Sequence, residues 1–179
     1  MPIGPRFPQV LQAATEGLEW AWSELYREYA PALLRFLRSQ GALDADDLLG
    51  DCFVQIVRNL GEFSGDEDGF RAWTYTVARS RLVDSWRRAG RQPVVPVADV
   101  SEVATMRTHD GDGPDAGVVA DAGVEEILQR LTPDQRAVIS LRFVDRFSLA
   151  ETAEILGRSE GSVKLLQHRA IRALRKALG

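Results

Sequence analysis

One cysteine, Cys52, occurs in the 179 residues. A disulfide framework is therefore excluded, and a structural zinc site would need ligands the chain lacks. There are only two histidines, His109 and His168, far apart in sequence. No apolar run approaches the ~18 residues of a membrane span, so no membrane insertion is expected. The N-terminus, MPIGPRFPQVL, has no charged stretch leading into an apolar one, so no signal peptide is expected either. A reducing, cytoplasmic compartment is the simplest reading of these absences. No period-two alternation of any length occurs, which leaves no candidate strand. An excess of positive charge is also missing: the formal net charge is −4.

Apolar residues make up 45% of the chain, enough for a sizeable core in one large domain or two small ones. The charge is unevenly spread. Residues 1–70 hold 5 basic and 12 acidic groups, and residues 71–91 hold 6 basic and 1 acidic. Residues 92–134 hold 2 basic and 9 acidic groups, and residues 135–179 hold 9 basic and 4 acidic. Two basic blocks thus alternate with two acidic ones. Ordinary scatter of surface charge is one explanation. Two separate polyanion contacts, with acidic surfaces kept off DNA or turned to a basic protein, is the other.

Helical periodicity fills residues 8–88 and 121–178. The intervening RQPVVPVADVSEVATMRTHDGDGPDAGVVA is rich in Pro, Gly, Asp and Val and reads as a linker. Its ~29 residues would span roughly 30 Å on average and up to ~100 Å when extended. The expected fold is all-α, with helical domains at 8–91 and 121–179 joined by a flexible segment at 92–120.

Three main helices are expected in the first domain. One covers residues 19–40, with Pro31 as a kink or a fresh start. The second starts at an Asp44 cap and runs to residue 60. Its apolar face is Leu48, Leu49, Cys52, Phe53, Ile56, Val57 and Leu60. The third covers residues 69–88 and is apolar on two sides. Phe70, Trp73 and Val77 lie on one side, and Tyr75, Leu82 and Trp86 on nearly the opposite one. Such a helix is either central in its bundle or presents an aromatic side to a ligand. With arginines interleaved, unpaired bases are one such ligand.

The second domain reads as four helices. The first covers residues 121–131. Thr132 caps the next, with Pro133 at its first position. Ser148 and Glu151 form a capping box, Gly157 takes the left-handed position after that helix, and Ser159 caps the last one. Helix, short glycine turn, helix is the helix-turn-helix pattern. On the last helix Val163, Leu166, Ala170, Leu174 and Ala177 share the presumed core face. Lys164, Leu165, His168, Arg172 and Arg175 face the other way, with Arg169 and Lys176 near the edge. Ser162, Lys164, Leu165, His168, Arg169 and Arg172 are the expected contacts to a major groove, with Leu165 either touching a thymine methyl or merely exposed.

The segments WSELYREYAPALLRFLRSQG, DADDLLGDCFVQIVRNL and FRAWTYTVARSRLVDSWRR resemble region 2 of the sigma-70 family in its extracytoplasmic-function (ECF) branch. LTPDQRAVISLRFVDRFSLAETAEILGRSEGSVKLLQHRAIRALRKAL resembles region 4 of that branch. The resemblance implies a non-enzymatic transcription initiation factor with no cofactor and no metal. It implies that Asp46, Asp47, Leu48 and Asp51 dock on core RNA polymerase. Ser64, Gly65, Asp66, Phe70, Thr76, Arg79, Ser80, Arg81, Arg87 and Arg88 would hold the melted minus-ten element of promoter DNA. The last helix would read the minus-thirty-five element as duplex, and an anti-sigma factor would hold the protein inactive. The chain departs from many relatives at Ser80, where Asn is frequent, at Leu165–Leu166–Gln167, where Ser-Arg-Leu is frequent, and at Gly50, where Gln is frequent.

Two other classes compete. A stand-alone helix-turn-helix regulator would leave the aromatic–arginine helix without a use. A metal-dependent nuclease would draw on Asp44, Asp46, Asp47 and Asp51 or on Asp66, Glu67 and Asp68. No histidine or lysine joins those clusters, and acidic residues at a helix start stabilise its dipole.

Overall fold

The structure, a computed structural model, describes residues 2–90, 128 and 130–178. The linker expected at 92–120 lies outside the described residues, as does most of the helix expected over 121–131. The chain divides into two compact units, Met1–Arg91 and Gln92–Gly179. All regular structure among the described residues is helical.

The first unit contains α1 (Phe7–Thr15), α2 (Glu19–Ser39), α3 (Ala45–Asn59) and α4 (Glu67–Arg88). Periodicity did not single out α1, which is only nine residues long. Pro8 sits in its first turn, where a missing N–H costs nothing. It buries Phe7, Val10, Ala13 and Ala14, and the Trp22 indole N–H donates to the Ala14 carbonyl at 3.0 Å. Pro31 lies inside α2 and does not start a new helix. Asp44 caps α3 by accepting from the Asp47 N–H at 3.0 Å, and Asp66 caps α4 by accepting from the Gly69 N–H at 2.9 Å. The α4 helix therefore starts two residues before its expected onset.

Of the two readings of α4, the central helix is the one observed. It packs on both α2 and α3. Phe70, Tyr75, Val77, Leu82 and Trp86 are all buried. Phe70 is the hub of an aromatic cluster. Its ring centroid lies 5.4 Å from Phe7, 5.2 Å from Tyr29, 5.3 Å from Phe63 and 5.7 Å from Trp73. Such pairs contribute about 0.5–1.5 kcal/mol each beyond area burial. Beside this cluster, Glu67 ties three segments together. Its carboxylate accepts from the Ile3 N–H at 2.6 Å, the Gly4 N–H at 2.7 Å and the Tyr29 hydroxyl at 3.2 Å. Burial, together with the Glu67 charge, holds the Tyr29 phenol protonated well beyond its ordinary range.

The second unit contains α5 (Pro133–Ile139), extended by a π turn over Ser140–Val144, then α6 (Leu149–Leu156) and α7 (Glu160–Leu178). The capping signals read from the sequence are present. Thr132 with Gln135, and Ser148 with Glu151, form reciprocal capping boxes. Gly157 adopts φ 61°, ψ 41°. Ser159 Oγ accepts from the Ser162 N–H at 3.2 Å. Arg158, just beyond that glycine, is paired with the buried Asp134 at the start of α5. The α7 helix packs on both α5 and α6. Val163 joins Val138 and Ala153, with Leu149, Leu156 and Leu166 against them. Ala170 joins Leu131 and Ile139, with Ile171 and Leu174 alongside.

All four tryptophans (Trp20, Trp22, Trp73 and Trp86) fall in the first unit. A Cβ at Gly157 meets nothing within 4 Å, so only its left-handed backbone penalises a side chain there. Gly157→Ala is expected to destabilise the second unit by about 1–2 kcal/mol. In urea titrations the far-UV circular dichroism transition of that unit moves to lower denaturant while the tryptophan fluorescence transition stays in place. Movement of both transitions would contradict the assignment.

Candidate nucleic-acid and polymerase interfaces

The outer surface of α7 is basic. Lys164, His168 and Arg172 are exposed, as are Arg175 and Lys176, while Ser162 and Arg169 are half-buried. Leu165, expected in the groove or exposed, is instead 4% exposed and is a packing residue. A wheel assumes one buried stripe, but α7 has helices against two of its sides, which widens the arc removed from water. Gln167 is also turned to structural use. It accepts from Arg142 Nε at 3.3 Å, and Arg142 donates to the Phe147 carbonyl at 2.7 Å. Departures from the family pattern at residues 165–167 therefore fall largely on side chains that face the protein.

In the first unit, Ser64, Gly65 and Asp66 are exposed in the loop before α4. The loop is walled by Phe63, stacked on Trp73 at 5.3 Å and 26°. A Cβ on Gly65 would sit 3.0 Å from the Phe63 ring, so the glycine lets the chain pass close over it. Phe70, expected to meet DNA, is 1% exposed and anchors the loop from beneath. Its two-sided burial in α4 removes it from any direct contact in this conformation. Ser80 is exposed. Thr76 is half-buried, and its hydroxyl donates to the Ala72 carbonyl at 3.1 Å. Arg79 lies over the Trp86 ring at 5.4 Å. Arg81 donates to Gln55 Oε1 on α3. Arg87 and Arg88 are exposed, the former 3.4 Å from Asp84.

On α3, Asp46, Asp47 and Asp51 are exposed, but Leu48 is 6% exposed and belongs to the core. Asp46 pairs with Arg38 at 3.0 Å, both on the surface, where such a pair contributes little. Val57, assigned to the core face from periodicity, is 52% exposed. With Tyr26 and Phe53, whose rings are 4.7 Å apart, it lines an open apolar groove of about 640 Å³ between α2 and α3. The sequence signal for that groove was an apolar arc on α3 too wide for one buried stripe. Cys52 is buried, and burial pushes its thiol up to about 12. Among the described residues no group of three or more His, Cys, Asp or Glu side chains could hold a metal ion. Among them, too, no helix is long and apolar enough to cross a membrane.

The family model for sigma-70 region 2 matches residues 25–92, and that for sigma-70 region 4 matches residues 127–176. The ECF RNA polymerase sigma factor SigM of Mycobacterium tuberculosis is 33% identical over 173 residues, covering 96% of this chain and 84% of that protein. The chain belongs to the ECF branch of the sigma-70 family. It is thus a transcription initiation factor and not an enzyme. The ECF sigma factor BldN of Streptomyces coelicolor is 29% identical over 175 residues, which cover 97% of this chain and 66% of BldN, just under two thirds of its length. Among solved structures, CnrH in complex with the cytosolic domain of CnrY is similar with a TM-score of 0.67 and 27% identity, covering 96% of each chain.

The burial of Leu165 in this sigma factor sets it apart from its exposed neighbour Lys164 on the same helix. Leu165→Ala is expected to cost the second unit about 2–4 kcal/mol. Lys164→Ala, next to it but exposed, stays within about 0.5 kcal/mol. Denaturant unfolding followed by circular dichroism checks both, and equal, small effects would return Leu165 to the surface.

Proposed function

We propose that this sigma factor docks on core RNA polymerase through α2 and α3, reads a duplex minus-thirty-five element with α7, and traps unpaired bases of the minus-ten element at the loop before α4. The observation that carries this reading is the pair of family matches, region 2 followed by region 4, on two separate helical units. Residues 8–91 and 121–179 act as these two modules, and 92–120 serves as the tether that lets each reach its own site.

The exposed carboxylates of Asp46, Asp47 and Asp51 suit a basic partner, and the Tyr26–Phe53–Val57 groove between α2 and α3 supplies apolar area for it. In the loop, Ser64, Gly65 and Asp66 are exposed beside the Phe63–Trp73 stack. A flipped base costs a few kcal/mol to extrude, and stacking of about 1–3 kcal/mol per base offsets this. Ser80, Arg87 and Arg88, all exposed on α4, meet the strand in this reading. On α7 the contacts come from Lys164, His168 and Arg172, aided by Ser162 and Arg169. A second protein partner, of the anti-sigma kind, belongs to the same reading; the similar CnrH was solved in complex with the cytosolic domain of CnrY.

Run-off transcription with core polymerase from the native host, on a genomic promoter library, tests the reading. Specific transcripts are expected only when the factor is added. On a promoter so obtained, Lys164→Ala/Arg172→Ala should lower complex formation roughly 10-fold or more at physiological salt, through lost phosphate neutralisation. The chain without polymerase should bind the same DNA weakly, given its net charge of −4. Tight, specific binding by the isolated chain without any initiation would identify a stand-alone helix-turn-helix regulator instead.

A further inference from the structure

The arginines of α4 do not stand alone. Arg81, Arg87 and Arg88 share a half-open pocket of about 490 Å³ with Gln55 and Arg58 of α3. Arg58 is exposed and makes no ion pair or hydrogen bond among the described residues. Gln55 accepts from Arg81, which aims that guanidinium across the pocket. Two carboxylates, Asp51 and Asp84, oppose the four arginines there, leaving two positive charges in excess. Asp84 holds Arg87 at 3.4 Å, and its backbone carbonyl accepts from Arg88 Nε at 3.4 Å.

Arginine in the last turn of a helix complements the macrodipole, which accounts for Arg58, Arg87 and Arg88 one at a time. It does not account for two helices directing their arginines into one pocket, nor for the Gln55 bond that orients a fourth. An isolated anion on such exposed groups is screened and weakly held. A polyanion is different, because every phosphate neutralised releases condensed counterions. We infer that this pocket is a seat for the DNA phosphate backbone, with Arg58 and Gln55 of α3 completing a contact surface whose other half is α4. The inference rests on the reading of α4 as a DNA-facing helix, and it gives α3 a DNA-binding flank that meets its polymerase-docking one at Asp51. Continuity with exposed Arg87 and Arg88 favours DNA over an acidic polypeptide, whose carboxylates would fit the same guanidinium forks.

The experiment uses holoenzyme and a promoter fragment recovered by run-off transcription. Arg58→Ala should weaken promoter complexes about 3–10-fold at 150 mM salt and reduce the slope of log K against log salt by about 1. Arg58→Lys should keep most of the slope, because the charge remains. Asp84→Asn should tighten binding, because it removes a carboxylate from the phosphate path. Arg58→Cys offers a second readout. Buried Cys52 stays unmodified, so a thiol-reactive photocrosslinker attaches at position 58 alone. Crosslinks to the DNA strand are expected. An unchanged salt slope for Arg58→Ala, or crosslinks confined to protein, would overturn the proposal. Failure of run-off transcription itself would instead overturn the reading beneath it.

Discussion

Enclosure of α4 is the constraint on which the first unit depends. A helix that carries large apolar side chains on two opposite sides has to be covered on both, and α2 and α3 supply the cover. The aromatic residues then become core, and the exposed groups are left to the helix's margin and the loop before it. Phe70 shows the trade. Sequestered among four rings and 1% exposed, it fixes the loop that carries Ser64, Gly65 and Asp66. Glu67 extends that control to the N-terminal segment, holding two backbone N–H groups and the Tyr29 hydroxyl with one carboxylate.

The same segregation governs α3. One stripe, Leu48, Leu49, Cys52 and Ile56, is buried. A second flank presents Phe53 and Val57 to an open groove, with the acidic N-terminal turn nearby. A third presents Gln55 and Arg58 to the arginines of α4. A 15-residue helix thus offers apolar and cationic chemistry on different sides, with Asp46 and Asp47 in its first turn and Asp51 at the edge of the cationic pocket. This sorting explains how a chain of net charge −4 can carry cationic surfaces: the sum says little about any one flank.

Much of this was legible because it is local. Asp44, Thr132, Ser148, Gly157 and Ser159 act through bonds to residues only a few positions away, so their types and spacing were sufficient. Membership of the ECF branch was likewise visible in the region 2 and region 4 segments. The misplacements share one cause. Periodicity gives the angle at which a side chain leaves its helix, but not how many helices surround it. Leu165 lay opposite the presumed core and is buried because α7 has two neighbours. Val57 lay within the apolar arc and is exposed because α2 and α4 do not cover all of it. Leu48 and Phe70, taken as contact residues by resemblance, are structural for the same reason. The short helix α1 escaped because no side-chain cap marks its start, the signal that revealed the equally short α5 and α6.

The caps of the second unit have a consequence for the proposed reading of a promoter by α7. Ser148, Gly157 and Ser159 fix both ends of the turn between α6 and α7, and the Arg158–Asp134 pair pins that turn to α5. The conformational entropy of presenting α7 is lost when the chain folds, not when it meets DNA. Encounters with the wrong sequence therefore refund nothing and demand no unfolding. On that proposal, discrimination is left to the lifetimes of the complexes, set by how many fixed side chains find partners before the helix departs.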